Sequence, residues 1–202
     1  MIAVIDYGVG NLFSLKSSLI AIGEEPVVTR DPAEIEAADH IILPGVGAFG
    51  DAVAKLRETG MFDVVKQQAH SGKPLLGICV GMQLLFDVDL EFGRHEGLGL
   101  IHGTVEAIEP RLTQKLDVPH MGWNALHFTK PSKLYEGIEE GAFVYFVHSY
   151  AATDCDEAVS AEVEYSVTLT AGVERGNIYG TQFHPEKSGE TGLKILRNFC
   201  SL

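Results

Sequence analysis

The sequence predicts an α/β fold, a mostly parallel central sheet flanked by helices with an antiparallel extension, and two observations carry that expectation. In the first half, short apolar runs alternate with segments of helical periodicity. This β-α-β-α order implies parallel strands with helices on both faces, and sites beyond the carboxyl ends of the strands. From about Gly99 onward the texture changes to short strand-like runs, closed by one helical segment at the end.

Each element has a local reason. Ile2 to Ile5 is a continuous apolar run, as expected of a strand buried on both faces. Asn11 then caps a helix whose apolar residues Leu12, Leu15, Leu19 and Ile22 recur at helical spacing until Gly23 stops it. Pro26 to Thr29 is a second strand. Asp31-Pro32 is an N-cap followed by proline at the first helical position, and it opens a short helix before the strand His40 to Leu43. Asp51 to His70 is helical with a break at Gly60, Pro74 to Ile78 is the next strand, and Gly81 to Phe86 a following helix. In the second half Phe143 to Val147, Val167 to Val173 and Ile178 to Phe183 are strand-like, with a last helix from Glu190 to Cys200. No repeat, linker or low-complexity stretch divides the 202 residues, so one domain over 1–202 is expected.

Bulk properties exclude several function classes. Apolar residues make up 46% and charged residues 21%, an ordinary balance for a chain with a sizeable core. The net charge of -13 and the absence of a basic run argue against nucleic acid or an anionic membrane as partner. The cysteines at 79, 155 and 200 are scattered, with no C-x-x-C pair, which fits neither a disulfide framework nor a zinc site. With no basic leader, no h-region and no membrane-length apolar run, a cytoplasmic protein is expected.

The sharpest motif is Gly77-Ile78-Cys79-Val80-Gly81, a nucleophile elbow between a strand and a helix. An abrupt strand-to-helix corner strains the central residue, and the positions two before and two after it must lack side chains for the turn to close. The helix N-terminus faces the sulfur and favours the thiolate. An arbitrary cysteine is more often a small buried hydrophobe, a reading retained for Cys155 and Cys200; the flanking glycines lift Cys79 out of it.

A thiolate of this kind needs a base, and Gln182-Phe183-His184-Pro185-Glu186 at the end of the last strand offers one. In an extended segment residues two apart share a face, so Glu186 can hold the His184 imidazole in the right tautomer while its other nitrogen meets Cys79. His120, His127 and His148 lie on different segments without ligand spacing, so no metal is assigned, and no cofactor either.

Gly45-Val46-Gly47-Ala48-Phe49-Gly50 matches a dinucleotide fingerprint, but it follows the third strand, and no acidic residue stands at a strand end about 20 residues on. The alternative is that Pro44-Gly45-Val46-Gly47 brings backbone amides to the cysteine. An amide from this loop, at Val46, and that of Val80 would form an oxyanion hole.

The elbow, extended through Met82 and Gln83, together with His184-Pro185-Glu186 resembles the class I, triad-type glutamine amidotransferases. Within them, Asp6-Tyr7-Gly8-Val9-Gly10-Asn11-Leu12, Leu43 to Phe49, Pro119-His120-Met121-Gly122-Trp123-Asn124 and Tyr145-Phe146-Val147-His148-Ser149-Tyr150 look like the glutaminase subunits of imidazole glycerol phosphate synthase, from end to end. The resemblance implies a flavodoxin-like fold and Cys79, His184 and Glu186 as catalytic residues. It further implies that glutamine is hydrolysed to glutamate and ammonia. The ammonia passes to a separate (β/α)8-barrel cyclase in a heterodimer, which makes imidazole glycerol phosphate, for histidine synthesis, and an aminoimidazole ribonucleotide. By the same resemblance Gly45, Gly47, Gln83, Ser149 and Tyr150 bind glutamine, and Asn11, Met121, Trp123, Tyr145 and Lys187 face the cyclase. Without the resemblance, Gln83 reads as a solvated helix residue and Trp123 as core. Departures are small: Val80 where leucine is common, His102 where proline is expected, and Val46 where many siblings have glycine. Three other readings compete with this one: a non-catalytic α/β scaffold, a free-standing cysteine hydrolase, and an amidotransferase subunit serving another synthase.

Overall fold

The structure is a computed structural model that describes residues 1–202. Its first half runs β1 (Ile2–Ile5), α1 (Leu12–Ala21), β2 (Pro26–Thr29), α2 (Pro32–Ala37), β3 (His40–Gly45), α3 (Phe49–Glu58), α4 (Met61–His70), β4 (Leu75–Cys79) and α5 (Val80–Gln83). Then come β5 (Val88–Asp89), β6 (His95–Glu96), β7 (Thr104–Ala107), β8 (His120–Ala125), β9 (His127–Phe128), β10 (Phe143–His148), β11 (Tyr150–Thr153), β12 (Val159–Glu164), β13 (Thr168–Arg175), β14 (Ile178–Thr181) and α6 (Gly189–Cys200).

The main sheet has the order β2-β1-β3-β4-β14-β13-β12-β9. Its first five strands are parallel and the remaining three antiparallel, the architecture expected from the change of texture. β1, β3 and β4 are buried along their whole length, which is why their sequences are almost wholly apolar, with His40 at the start of β3 the one polar residue. On α1, Leu15 and Leu19 are fully buried, each worth about 1.5–3 kcal/mol of transfer free energy, and the Asn11 side chain accepts the Ser14 amide as cap. No helix is long and apolar enough to cross a membrane.

Two smaller assemblies escaped the sequence reading. β11, β7, β5 and β6 form a four-stranded sheet, and β8 pairs with β10 as a separate antiparallel ribbon. Bounds also moved. The helix expected from Asp51 starts at Phe49, because the Glu91 carboxylate accepts the Phe49 amide at 2.6 Å and caps the helix from a distant loop. The helix expected from Gly81 to Phe86 is only the short α5, and the last strand ends at Thr181 and not Phe183.

The elbow glycines are held by contact. A Cβ on Gly81 would lie 1.9 Å from the Leu43 carbonyl oxygen, and one on Gly77 would lie 2.5 Å from the Gly81 oxygen. Gly81→Ala is therefore expected to cost about 3 kcal/mol in chemical denaturation. A loss below about 0.5 kcal/mol would mean the corner can open freely.

Candidate active site

Cys79 ends β4 with φ 55° and ψ -113°, a positive-φ conformation that a non-glycine residue holds only under constraint, at about 1–3 kcal/mol. The constraint is the pair of contacts at Gly77 and Gly81 just described. The corner is thus strained as expected, but the helix after it is a single turn. The field at the sulfur comes from first-turn amides and not from a long dipole.

Cys79, Val80, Gln83, Val46, Gly47, Ser149, Tyr150 and His184 line one cavity of about 400 Å³. Gly45 is behind it: it pairs with Cys79 in the β3–β4 register, and a Cβ there would meet the Gly81 nitrogen at 2.6 Å. The buried Tyr7 hydroxyl donates to the Pro44 carbonyl at 2.7 Å and so pins the start of that loop. Gly47 takes the left-handed turn at φ 86°, and Val46 stays out of the positive-φ region. Gln83 is buried, not solvated. Its amide nitrogen donates to Gln182 Oε1 at 3.1 Å and to the Tyr150 carbonyl at 3.3 Å, while the Gln182 amide reaches Cys79 Sγ at 3.8 Å.

His184 Nδ1 and Glu186 Oε1 are 2.8 Å apart, both side chains at most 3% exposed. The expected extended segment is corrected here: Pro185–Lys187 is a 3-10 turn. Proline suits the first position of such a turn, and the chain doubles back so that Glu186 folds under the imidazole. His184 is further fixed by its amide donating to the Tyr145 carbonyl and by Ser188 Oγ donating to the His184 carbonyl. Burial works against the charge on His184, but the Cys79 sulfur and the Glu186 carboxylate outweigh it and hold its pKa up at about 9. His184 Nε2 is buried, and Cys79 supports the charge on the ring first as a side-chain hydrogen-bonding partner and then by coulombic attraction.

This makes a titration prediction. His184 should stay protonated below about pH 9. In Cys79→Ala the sulfur is gone, and burial is opposed by Glu186 alone, so the pKa should fall. NMR titration of the imidazole reads both; an unchanged His184 pKa in the variant would show that the two groups do not interact.

Residues not anticipated for the cavity are Glu91, Pro119, Val147, His148 and Lys187. Glu91 sits in an ordinary polar loop and carries no signal in sequence. It becomes visible only because the four-stranded sheet brings that loop to the Phe49 amide and the wall of the cavity. Lys187, expected only at an interface, also reaches the cavity, with Nζ 5.7 Å from the Tyr145 ring. Met121 and Trp123 are exposed on β8, 65% and 54%, and Trp123 meets Tyr145 across the ribbon, so Trp123 is not core. Asn11 remains a helix cap outside the cavity. His120 and His148, read as unrelated, stand opposite one another in the ribbon register with ring nitrogens 2.9 Å apart. A larger groove of about 920 Å³ between Phe128 and Tyr179 contains neither Cys79 nor His184.

A strained cysteine at a strand-to-helix corner, beside a buried histidine–carboxylate pair on this half-parallel sheet, defines a class. The chain belongs to the class I glutamine amidotransferase family, whose sequence pattern matches residues 3–201. Within the class it stands at full length with the subunits of one synthase. It is 52% identical to the imidazole glycerol phosphate synthase subunit HisH of Geobacillus sp. (strain WCH70), covering 100% of this chain and 97% of that one. To the HisH subunit of Sulfurimonas denitrificans it is 51% identical, covering 98% and 97%. Among solved structures, it resembles a crystal structure described as a glutamine amidotransferase, with TM-score 0.77 at 20% identity over 100% of this chain and 98% of that one. It is equally like PurLQS from Thermotoga maritima, with TM-score 0.77 at 22% identity over 99% and 97%. At such identities these two speak for the fold alone.

Proposed function

We propose that this chain is the glutaminase subunit of an imidazole glycerol phosphate synthase, with Cys79, His184 and Glu186 as its catalytic residues. The observation that carries the reading is the convergence of the strained Cys79 and the buried His184–Glu186 pair on one cavity. The Cys79 thiolate attacks the side-chain amide carbon of glutamine, and protonated His184 gives its proton to the nitrogen as the C–N bond breaks. Ammonia leaves and a thioester remains. His184, now a base, takes a proton from water, which attacks the thioester; the C–S bond breaks and glutamate departs.

Amides near Val46 and Val80 serve the developing oxyanion. Gly47, Gln83, Ser149 and Tyr150 bind glutamine, with Gly45 bringing the loop close, and Glu91 offers a carboxylate for the α-ammonium group. The exposed face bearing Met121, Trp123 and Tyr145, with Lys187 and Asn11 beside it, receives a (β/α)8-barrel cyclase in a heterodimer. That partner takes the ammonia in histidine synthesis. The acidic balance and the three unpaired cysteines suit the cytoplasm.

A subunit that feeds a partner should hold its activity back when alone. Val46 resists the positive-φ conformations that glycine accepts, so the Gly45–Val46 peptide rests with its carbonyl toward the oxyanion position until the cyclase and its ligand turn it. A missing oxyanion donor costs about a hundred- to a thousandfold in rate. The test is glutamate release from glutamine, alone and in the liganded complex. A gain of about that size on complex formation is expected, with Val46→Gly raising the isolated rate. Equal rates alone and in complex would remove the gate; no glutamate release even in the complex would overturn the reading.

A further inference from the structure

Beneath the β8–β10 ribbon lies a buried polar chain that the chemistry above does not use. Its direction can be read link by link. His148 Nδ1 is 2.8 Å from the Tyr150 carbonyl, which can only accept, so the proton is on Nδ1. In the neutral ring Nε2 is then bare, and it must accept from His120 Nδ1 at 2.9 Å. His120 Nε2 is bare in turn and faces Asn124 Nδ2 at 3.2 Å. The Asn124 amide is oriented by its other contacts, Oδ1 accepting the Ala125 amide and Nδ2 donating to the Glu164 carbonyl. Both rings are buried, and burial drops each pKa to about 4, so at neutral pH neither carries the second proton that would set donor against donor. Aromatic faces fix the chain sideways: the His120 ring stacks on Phe146 at 4.8 Å and lies 4.1 Å from the Tyr165 ring, whose hydroxyl is tied to the Asp117 carbonyl.

We propose that His120 and His148 are positioning residues for glutamine. Their oriented relay, Asn124 to His120 to His148 to the Tyr150 carbonyl, sets the backbone of Ser149 and Tyr150 along the wall of the cavity. The Tyr150 carbonyl also receives Gln83, so one atom joins the relay to the helix that follows Cys79. The relay touches neither Cys79 nor the reacting amide, so it acts on substrate placement and not on the chemical steps. This inference rests on the glutaminase reading for its substrate.

Two measurements test it. In the wild-type complex with the cyclase, long-range imidazole nitrogen NMR should find both rings neutral and protonated on Nδ1, the less common tautomer. An Nε2-protonated or cationic ring at either position at neutral pH overturns the relay. In the same complex, His148→Gln removes the donor at Nδ1, whereas His148→Asn places an amide NH2 there. The Gln variant should raise KM for glutamine about five- to tenfold, the effect of one buried hydrogen bond, with kcat within about threefold. The Asn variant should keep KM within about threefold of wild type. Equal KM in all three proteins, or parallel losses of kcat in both variants, would show that the pair merely fills the core. If the wild-type complex released no glutamate, the glutaminase reading would fail, while the tautomer measurement would still decide the relay.

Discussion

Replacing Cys79 with alanine is expected to lower glutamine-dependent ammonia release by at least about four orders of magnitude while leaving the fold intact. The size follows from the proposed covalent route: without the sulfur no thioester forms, and what remains is binding plus oxyanion contacts. The fold should survive because alanine keeps the Cβ and meets the same φ of 55° that cysteine already tolerates. The glycines that force the corner are untouched. In the complex, turnover supported by added ammonium should persist, since the cyclase chemistry lies on another chain. Glutamine turnover by a contaminant-free Cys79→Ala protein within about a hundredfold of wild type would sink the assignment.

Loss of His184 should come next in magnitude, with Glu186 behind it. In the proposed mechanism His184→Ala removes the proton donor to ammonia and the base toward water, a loss of about 10⁴-fold or more in kcat. Glu186→Ala removes the group that holds Nδ1 and helps keep the ring charged, so its damage should be about 10- to 100-fold smaller. Rates of glutamate release in the complex separate the two. If Glu186→Ala were the more damaging, the acid and base roles would have to be reassigned.

Much of the active-site corner was legible because its constraints are local. Gly77 and Gly81 flank Cys79 at the spacing a strand-to-helix turn requires, and the structure puts backbone oxygens where their side chains would be. Asn11 and Asp31 were readable as caps because a cap acts within one turn, and both side chains accept the expected amides. His184 and Glu186 were readable as a pair because they are two residues apart, yet the path between them is a turn and not the expected extended strand. An extended strand and a 3-10 turn can both join such neighbours, and the choice depends on Ser188 and on the Tyr145 carbonyl from β10.

The sequence by itself therefore determined the alternating strands and helices of the first half, the cysteine elbow and the adjacency of His184 and Glu186, since periodicity, proline and glycine act over a few residues. Only the tertiary structure decided the rest. Glu91 caps α3 from 42 residues away, and His120 meets His148 across 28 residues of chain. Trp123 is turned outward on a ribbon whose strands carry no strong alternation of their own. In antiparallel pairing a one-residue slip exchanges the inner and outer faces of a strand, so which side chains meet is fixed by register and by what packs beneath, neither of which is written in any short stretch of the chain.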